Sequence, residues 1–199
     1  MKLVQGTPEN QSFIEAMSHE FSLCEKSFDE FLILAGTNIQ GVSDYVVLER
    51  LYTAYANFIV HLYEFYVSCF KRDFGKTDDI HYTTLDLLFT KAVEKLMNNM
   101  CFLIEHKKAP SWANDLSYYK EPVPQDLGEK FRAARNNSSH VDLRRVSGGN
   151  RLTLKEFMDK YHKFIYFLYD SARYSWSNKG KNPYELSHIK EFDLSTKTS

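Results

Sequence analysis

Few residues in this sequence interrupt a helix. Five prolines and eight glycines are spread over 199 residues, and they cluster between segments of regular apolar spacing. That scarcity excludes frequent breaks and predicts long helices. Cysteine is equally sparse. Cys24, Cys69 and Cys101 are odd in number and far apart, with no Cys-x-x-Cys pair. A disulfide frame or zinc site is therefore not expected, and the three read as reduced core residues. No apolar run approaches the roughly 18 residues of a membrane helix. Residues 1–10 lack an apolar core of signal-peptide length. The expectation is a soluble cytoplasmic protein without a membrane partner. An excess of one charge is missing too: 25 basic residues face 26 acidic ones, for a net charge of −1. Only local clustering can then argue for a nucleic-acid partner. A P-loop, a Rossmann glycine pattern and a zinc-hydrolase motif are all absent, so neither cofactor nor metal is expected.

What is present is apolar and aromatic. Hydrophobic residues make up 43% and aromatic residues 15%, enough for one domain over 1–199 with a real core. The pattern predicts an all-α bundle of about five helices. The first runs over about 9–35, with Phe13, Met17, Phe21, Cys24, Phe28, Phe31 and Ala35 as its stripe and Gly36 as its stop. The second runs from Ser43 or Asp44, either able to cap it, to Phe74, and Gly75 ends it. It carries two apolar stripes and one polar seam, Thr53, Asn57, His61, Glu64 and Ser68, within roughly 80° of arc. Such a seam is either a solvated edge or sets His61 or Glu64 against a cationic partner.

A third helix fits 84–106, capped by Thr83 or Thr84, with Leu85, Leu88, Ala92, Leu96 and Leu103 inward. An aromatic connection over 107–123 follows. Pro124 opens a short fourth helix with Leu127, Phe131 and Ala134 inward. The last long helix starts at Thr153, with Glu156 at the capping-box position, and ends near 178–180. Leu154, Phe157, Met158, Tyr161, Phe164, Ile165, Leu168 and Ala172 form its stripe. The tail over 180–199 is polar apart from Leu186, Ile189, Phe192 and Leu194.

One stretch concentrates chemistry. Arg132, Arg135, Arg144, Arg145 and Arg151 fall within twenty residues, while only Arg50, Arg72 and Arg173 lie elsewhere. Inside the cluster runs Arg135-Asn136-Asn137-Ser138-Ser139-His140. On a continuous helix Arg135 and His140 would point about 140° apart. Asn and Ser compete for backbone hydrogen bonds, so a break across Asn137-Ser138-Ser139 is expected to let the two converge.

Arg135, Asn136 and His140 in this arrangement resemble the signature of the HEPN domains (higher eukaryotes and prokaryotes nucleotide-binding). That signature is an arginine, often followed by asparagine, with a histidine four to six residues on. The resemblance covers about 43–176. It implies a helical bundle with the motif at the end of a late helix. It extends to Ala56–Tyr66, where Glu64 matches the acidic residue of an earlier family helix. In many members it implies a metal-independent endoribonuclease. On that reading His140 is the acid or base, Arg135 the phosphate clamp and Asn136 the orienting group. Arg132, Arg144 and Arg145 would hold the RNA backbone, with Glu64 and His61 in support. A single motif histidine implies a homodimer that joins two motifs in one cleft. The prokaryotic members implied are toxins or anti-phage effectors, partnered by an antitoxin or another defence protein. Some carry a modified tyrosine two residues after the histidine; this chain has Asp142 there. The alternative is a non-catalytic HEPN-like module that binds a nucleotide, RNA or a partner protein.

Overall fold

A computed structural model describes residues 2–39, 41, 44–139 and 152–177. The fold is an all-α helical bundle. The described residues form six helices and no strand: α1 Pro8–Ile39, α2 Tyr45–Asp73, α3 Tyr82–Glu105, α4 Leu116–Tyr119, α5 Leu127–Ser139 and α6 Leu154–Trp176. The helix beyond the expected five is α4, a single turn inside the aromatic connection. No described helix is long and apolar enough to cross a membrane. The chain divides into two compact units, residues 2–79 with 175–177, and residues 80–174.

The first unit is built on an antiparallel pair. Phe21 meets Phe65, Phe28 meets Phe58 and Phe31 meets Tyr55, with ring centroids 4.7–4.9 Å apart. The numbers rise along α1 as they fall along α2, which sets the direction. Aromatic pairs of this kind add about 1 kcal/mol each beyond their burial. Met17, Phe21, Cys24, Phe28 and Phe31 are buried, so the expected stripe of α1 is its core face. Pro8 occupies the first turn, and Thr7 accepts the Asn10 N–H at 3.3 Å. Gly36 does not stop the helix. It is helical, with open space around its Cα, and α1 runs on to Ile39. A glycine ends a helix only where the chain also turns left-handed, and Gly36 does not. Asp44 caps α2 by accepting the Val47 N–H at 2.9 Å. Gly75 does leave α2 left-handed, at φ +66°. Its carbonyl then accepts the Leu3 N–H at 2.7 Å, tying the N-terminus to the end of α2.

In the second unit α5 runs antiparallel to both α3 and α6. Phe131 packs edge-on against Phe89 at 5.0 Å and stacks on Phe157 at 6.1 Å. Leu127, Phe131 and Ala134 are buried as expected. On α3 the core line is Leu85, Phe89, Val93 and Met97. The anticipated Leu88, Ala92, Leu96 and Leu103 are only half-buried, because Phe89 takes the face toward α5, against Phe131, and its line is the buried one. The N-cap of α3 is His81, not Thr83 or Thr84. At its other end Lys107 turns left-handed, φ 55°. Lys107 and Lys108 N–H donate to the carbonyls of Ile104 and Leu103, the reciprocal pattern of a Schellman stop. The cap of α6 is the anticipated box: Glu156 N–H donates to Thr153 Oγ1 at 3.2 Å, and Thr153 N–H to Glu156 Oε2 at 2.7 Å. Along α6, Met158 is exposed while its stripe neighbours Phe157 and Tyr161 are buried.

Candidate functional site

The described part of the candidate site lies on α5. Its buried face, Leu127, Phe131 and Ala134, fixes the rotation of the helix. That rotation sets Arg132 and Arg135, one turn apart, together on one face.

The helix does not break where the sequence suggested. It continues through Asn136, Asn137 and Ser138 to Ser139. The reason lies in the side-chain partners. Asn136 Oδ1 accepts from Arg135 Nη1 at 2.9 Å, and Asn137 Nδ2 donates to the Leu152 carbonyl at 3.4 Å. Amides engaged this way do not compete for their own backbone, which removes the usual cause of a break. The Asn137 bond also links the end of α5 to the residue before the α6 cap. His140, Asp142, Arg144, Arg145 and Arg151 lie outside the described residues.

Arg135 and Asn136 are thus in contact. Both are half-buried, and Arg135 Nε is shielded from solvent. Arg132 has a different setting from the one expected. Its Nε and Nη2 donate to Asp86 Oδ1 and Oδ2, each at 2.9 Å, and its guanidinium lies 4.8 Å from the Tyr82 ring centre. A guanidinium fork fitted onto a carboxylate is the strongest side-chain pairing available to arginine. Arg132 therefore links α5 to α3, and those two nitrogens are committed to the fold instead of a phosphate.

The approach of α5 to α3 depends on Gly128. A Cβ there would lie 2.0 Å from the Asp86 carbonyl oxygen. Gly128 N–H donates to Thr90 Oγ1 at 3.3 Å, and Thr90 Oγ1 donates to the Asp86 carbonyl at 3.1 Å. Asp86, Thr90 and Gly128 thus position the arginine helix. Sequence reasoning missed all three. Gly128 beside the predicted inward Leu127 was the one available signal.

The polar seam of α2 belongs to the first unit. His61 Nδ1 lies 2.8 Å from Glu20 Oε1 on α1, with both side chains about one-quarter exposed. Thr53 and Asn57 are exposed. Glu64 is half-buried with Oε1 shielded from solvent. The seam is therefore solvated at one end, and His61 has an acidic partner there, Glu20.

One further imidazole, His162 on α6, is held below its ordinary value by burial. Among the described residues no group of three His, Cys, Asp or Glu side chains is placed to hold a metal ion. The chain matches no protein-family model, no curated protein and no solved structure.

Proposed function

We propose that this chain is a HEPN-type endoribonuclease that acts without a metal. The observation that carries the reading is the Arg135–Asn136 contact, delivered by a late helix of an all-α chain just before His140. Neutral His140 would take the proton from a ribose 2′-hydroxyl. The 2′-oxygen then attacks the adjacent phosphorus, the bond to the 5′-oxygen breaks, and a 2′,3′-cyclic phosphate forms. A second acid must return a proton to the leaving 5′-oxygen. In a homodimer that acid is the second copy's motif histidine. Arg135 would stabilise the charge that builds on the phosphate, with Asn136 holding its guanidinium in place. Arg144 and Arg145 would add backbone contacts. The biological setting this reading implies is a cytoplasmic toxin or anti-phage effector, held in check or switched on by a partner protein.

Arg135 Nε is buried and its Nη1 is engaged by Asn136. This favours a second reading, a non-catalytic RNA-binding or protein-interaction module of the same type. RNA cleavage in EDTA separates the two. Wild type is expected to yield cyclic-phosphate ends and to arrest growth on induction, while Arg135→Ala and His140→Ala do neither. Wild-type protein that cuts no RNA, with or without metal, would rule out the enzyme.

A further inference from the structure

A cavity of about 420 Å³ opens between the second half of α3 and the segment that leads into α5. That volume lies in the range of small-molecule sites. Its floor is apolar: Met97 and Val123 are buried beneath it. Its walls are polar. Glu94, Asn98 and Cys101 follow one another at four- and three-residue steps on a single face of α3, and Gln125 stands on the other side. Among the described residues, no hydrogen bond or ion pair engages the side chains of Glu94, Asn98 or Gln125.

The cavity's charge follows from its neighbours. Lys120 lies 3.4 Å from Glu105, and Glu121 is paired with Lys163. Each of those ion pairs is internally balanced. The half-buried Glu94 then leaves the cavity net negative, which disfavours phosphate. It favours a planar group whose N–H donors point together at the carboxylate, seated on an apolar floor. Gln125 and Asn98 supply amides that donate as well as accept.

From these features we infer that the cavity binds a guanine base. Its N1–H and exocyclic amine meet the Glu94 carboxylate, and its carbonyl takes an amide N–H from Asn98 or Gln125. Among the four bases only guanine offers two adjacent donors to one carboxylate. The choice of a nucleobase rests on the ribonuclease reading. The two sites divide one strand between them, because the cavity excludes the phosphate that Arg135 attracts. Glu94, the cavity residue nearest the arginine site along α3, lies eight residues, about 12 Å of helix, beyond Asp86, which holds Arg132. A guanine seated in the cavity would select which phosphate reaches Arg135.

Calorimetry of the full chain with the four nucleosides, which carry no phosphate, tests this. Guanosine should bind at least about tenfold more tightly than adenosine, cytidine or uridine. Glu94→Gln, the same shape without the charge, should weaken guanosine roughly tenfold or more. Guanosine should also slow alkylation of Cys101 in wild type and not in Glu94→Gln. Equal binding of all four nucleosides, no guanosine binding, or binding unchanged in Glu94→Gln would overturn the inference. So would binding of agmatine without guanosine, which would mark an amine site. Arg135→Ala should bind guanosine as wild type does. Guanosine binding by a chain that cuts no RNA would sink the enzyme and spare the cavity. RNA cleavage without guanosine binding would do the reverse.

Discussion

Arg132 and Asp86, 46 residues apart in sequence, share two parallel hydrogen bonds of 2.9 Å. The pair is only partly exposed, at 27% and 17%, so water screens it less than a surface pair. Arg132→Ala is expected to cost about 2 kcal/mol in urea denaturation. Arg132→Lys keeps the charge but loses the fork, and should recover only part of that loss. A double-mutant cycle with Asp86→Ala should show coupling; strict additivity would mean that the two side chains do not interact in solution.

Gly128→Ala should be more damaging than its size suggests. The added methyl would meet the backbone of Asp86, with its Cα and carbonyl carbon at 2.5 Å. Backbone cannot rotate aside as a side chain can, so α5 must move away from α3. A loss of about 3 kcal/mol is expected. A thermal melt unchanged from wild type would show that the two helices stand further apart in solution.

The α6 cap predicts both a size and a pH window. Thr153→Ala should cost about 1 kcal/mol. Glu156 is held below its ordinary value of 4.5, first by the backbone N–H of Thr153 and then by its hydroxyl. A carboxylate with a lowered folded value stabilises the fold above the unfolded value. That contribution fades as the pH drops from 4.5 toward the lowered value. Glu156→Gln should flatten acid unfolding in that window, read from α-helical circular dichroism.

His162 acts in a separate window. Burial lowers its value from 6.5, so the folded chain resists a proton that the unfolded chain accepts. Its share of stability is whole above pH 6.5 and declines as the pH falls below it. His162→Phe should remove that part of the decline between pH 6.5 and 5 in urea midpoints. An identical slope in the variant would place the acid sensitivity elsewhere.

The three thiols should label in order. Cys24 is buried and its thiol is pushed well up by that burial, and Cys69 is pushed up to about 12, also mainly by burial. Cys101 is half-exposed on the cavity wall. At pH 8 a thiol-specific reagent should modify Cys101 first in native protein. The other two should react only on unfolding, because the thiolate is the reacting form. Mass spectrometry of the labelled peptides gives the order.

Local chemistry was legible in the sequence wherever the partner lay within a turn. Asp44 caps Val47, and Thr153 pairs with Glu156, as their spacing indicates. The core faces of α1 and α5 also followed from apolar periodicity. Features set by distant partners were not legible. The run from Asn136 to Ser139 has weak helix formers, yet Leu152 and Arg135 engage its amides and the helix persists. Arg132 looked like a phosphate ligand because Asp86 belongs to another helix. His61 looked available because Glu20 is 41 residues away. On α3, Leu88 and Leu96 fit the period as well as Phe89 and Val93 do. Only packing against Phe131 decides which line faces inward.

The chain leaves the first unit after Asp79 and re-enters it at Ser175. There Trp176 sets its ring edge-on to Phe65 at 5.4 Å. During synthesis the N-terminal part emerges first, and the ribosome must add nearly a hundred further residues before Trp176 is made. Until then the α1–α2 pair lacks one of its aromatic partners. All of residues 80–174, the second unit, are synthesised in between. The first unit therefore cannot gain its last aromatic contact until the whole of the second has been translated.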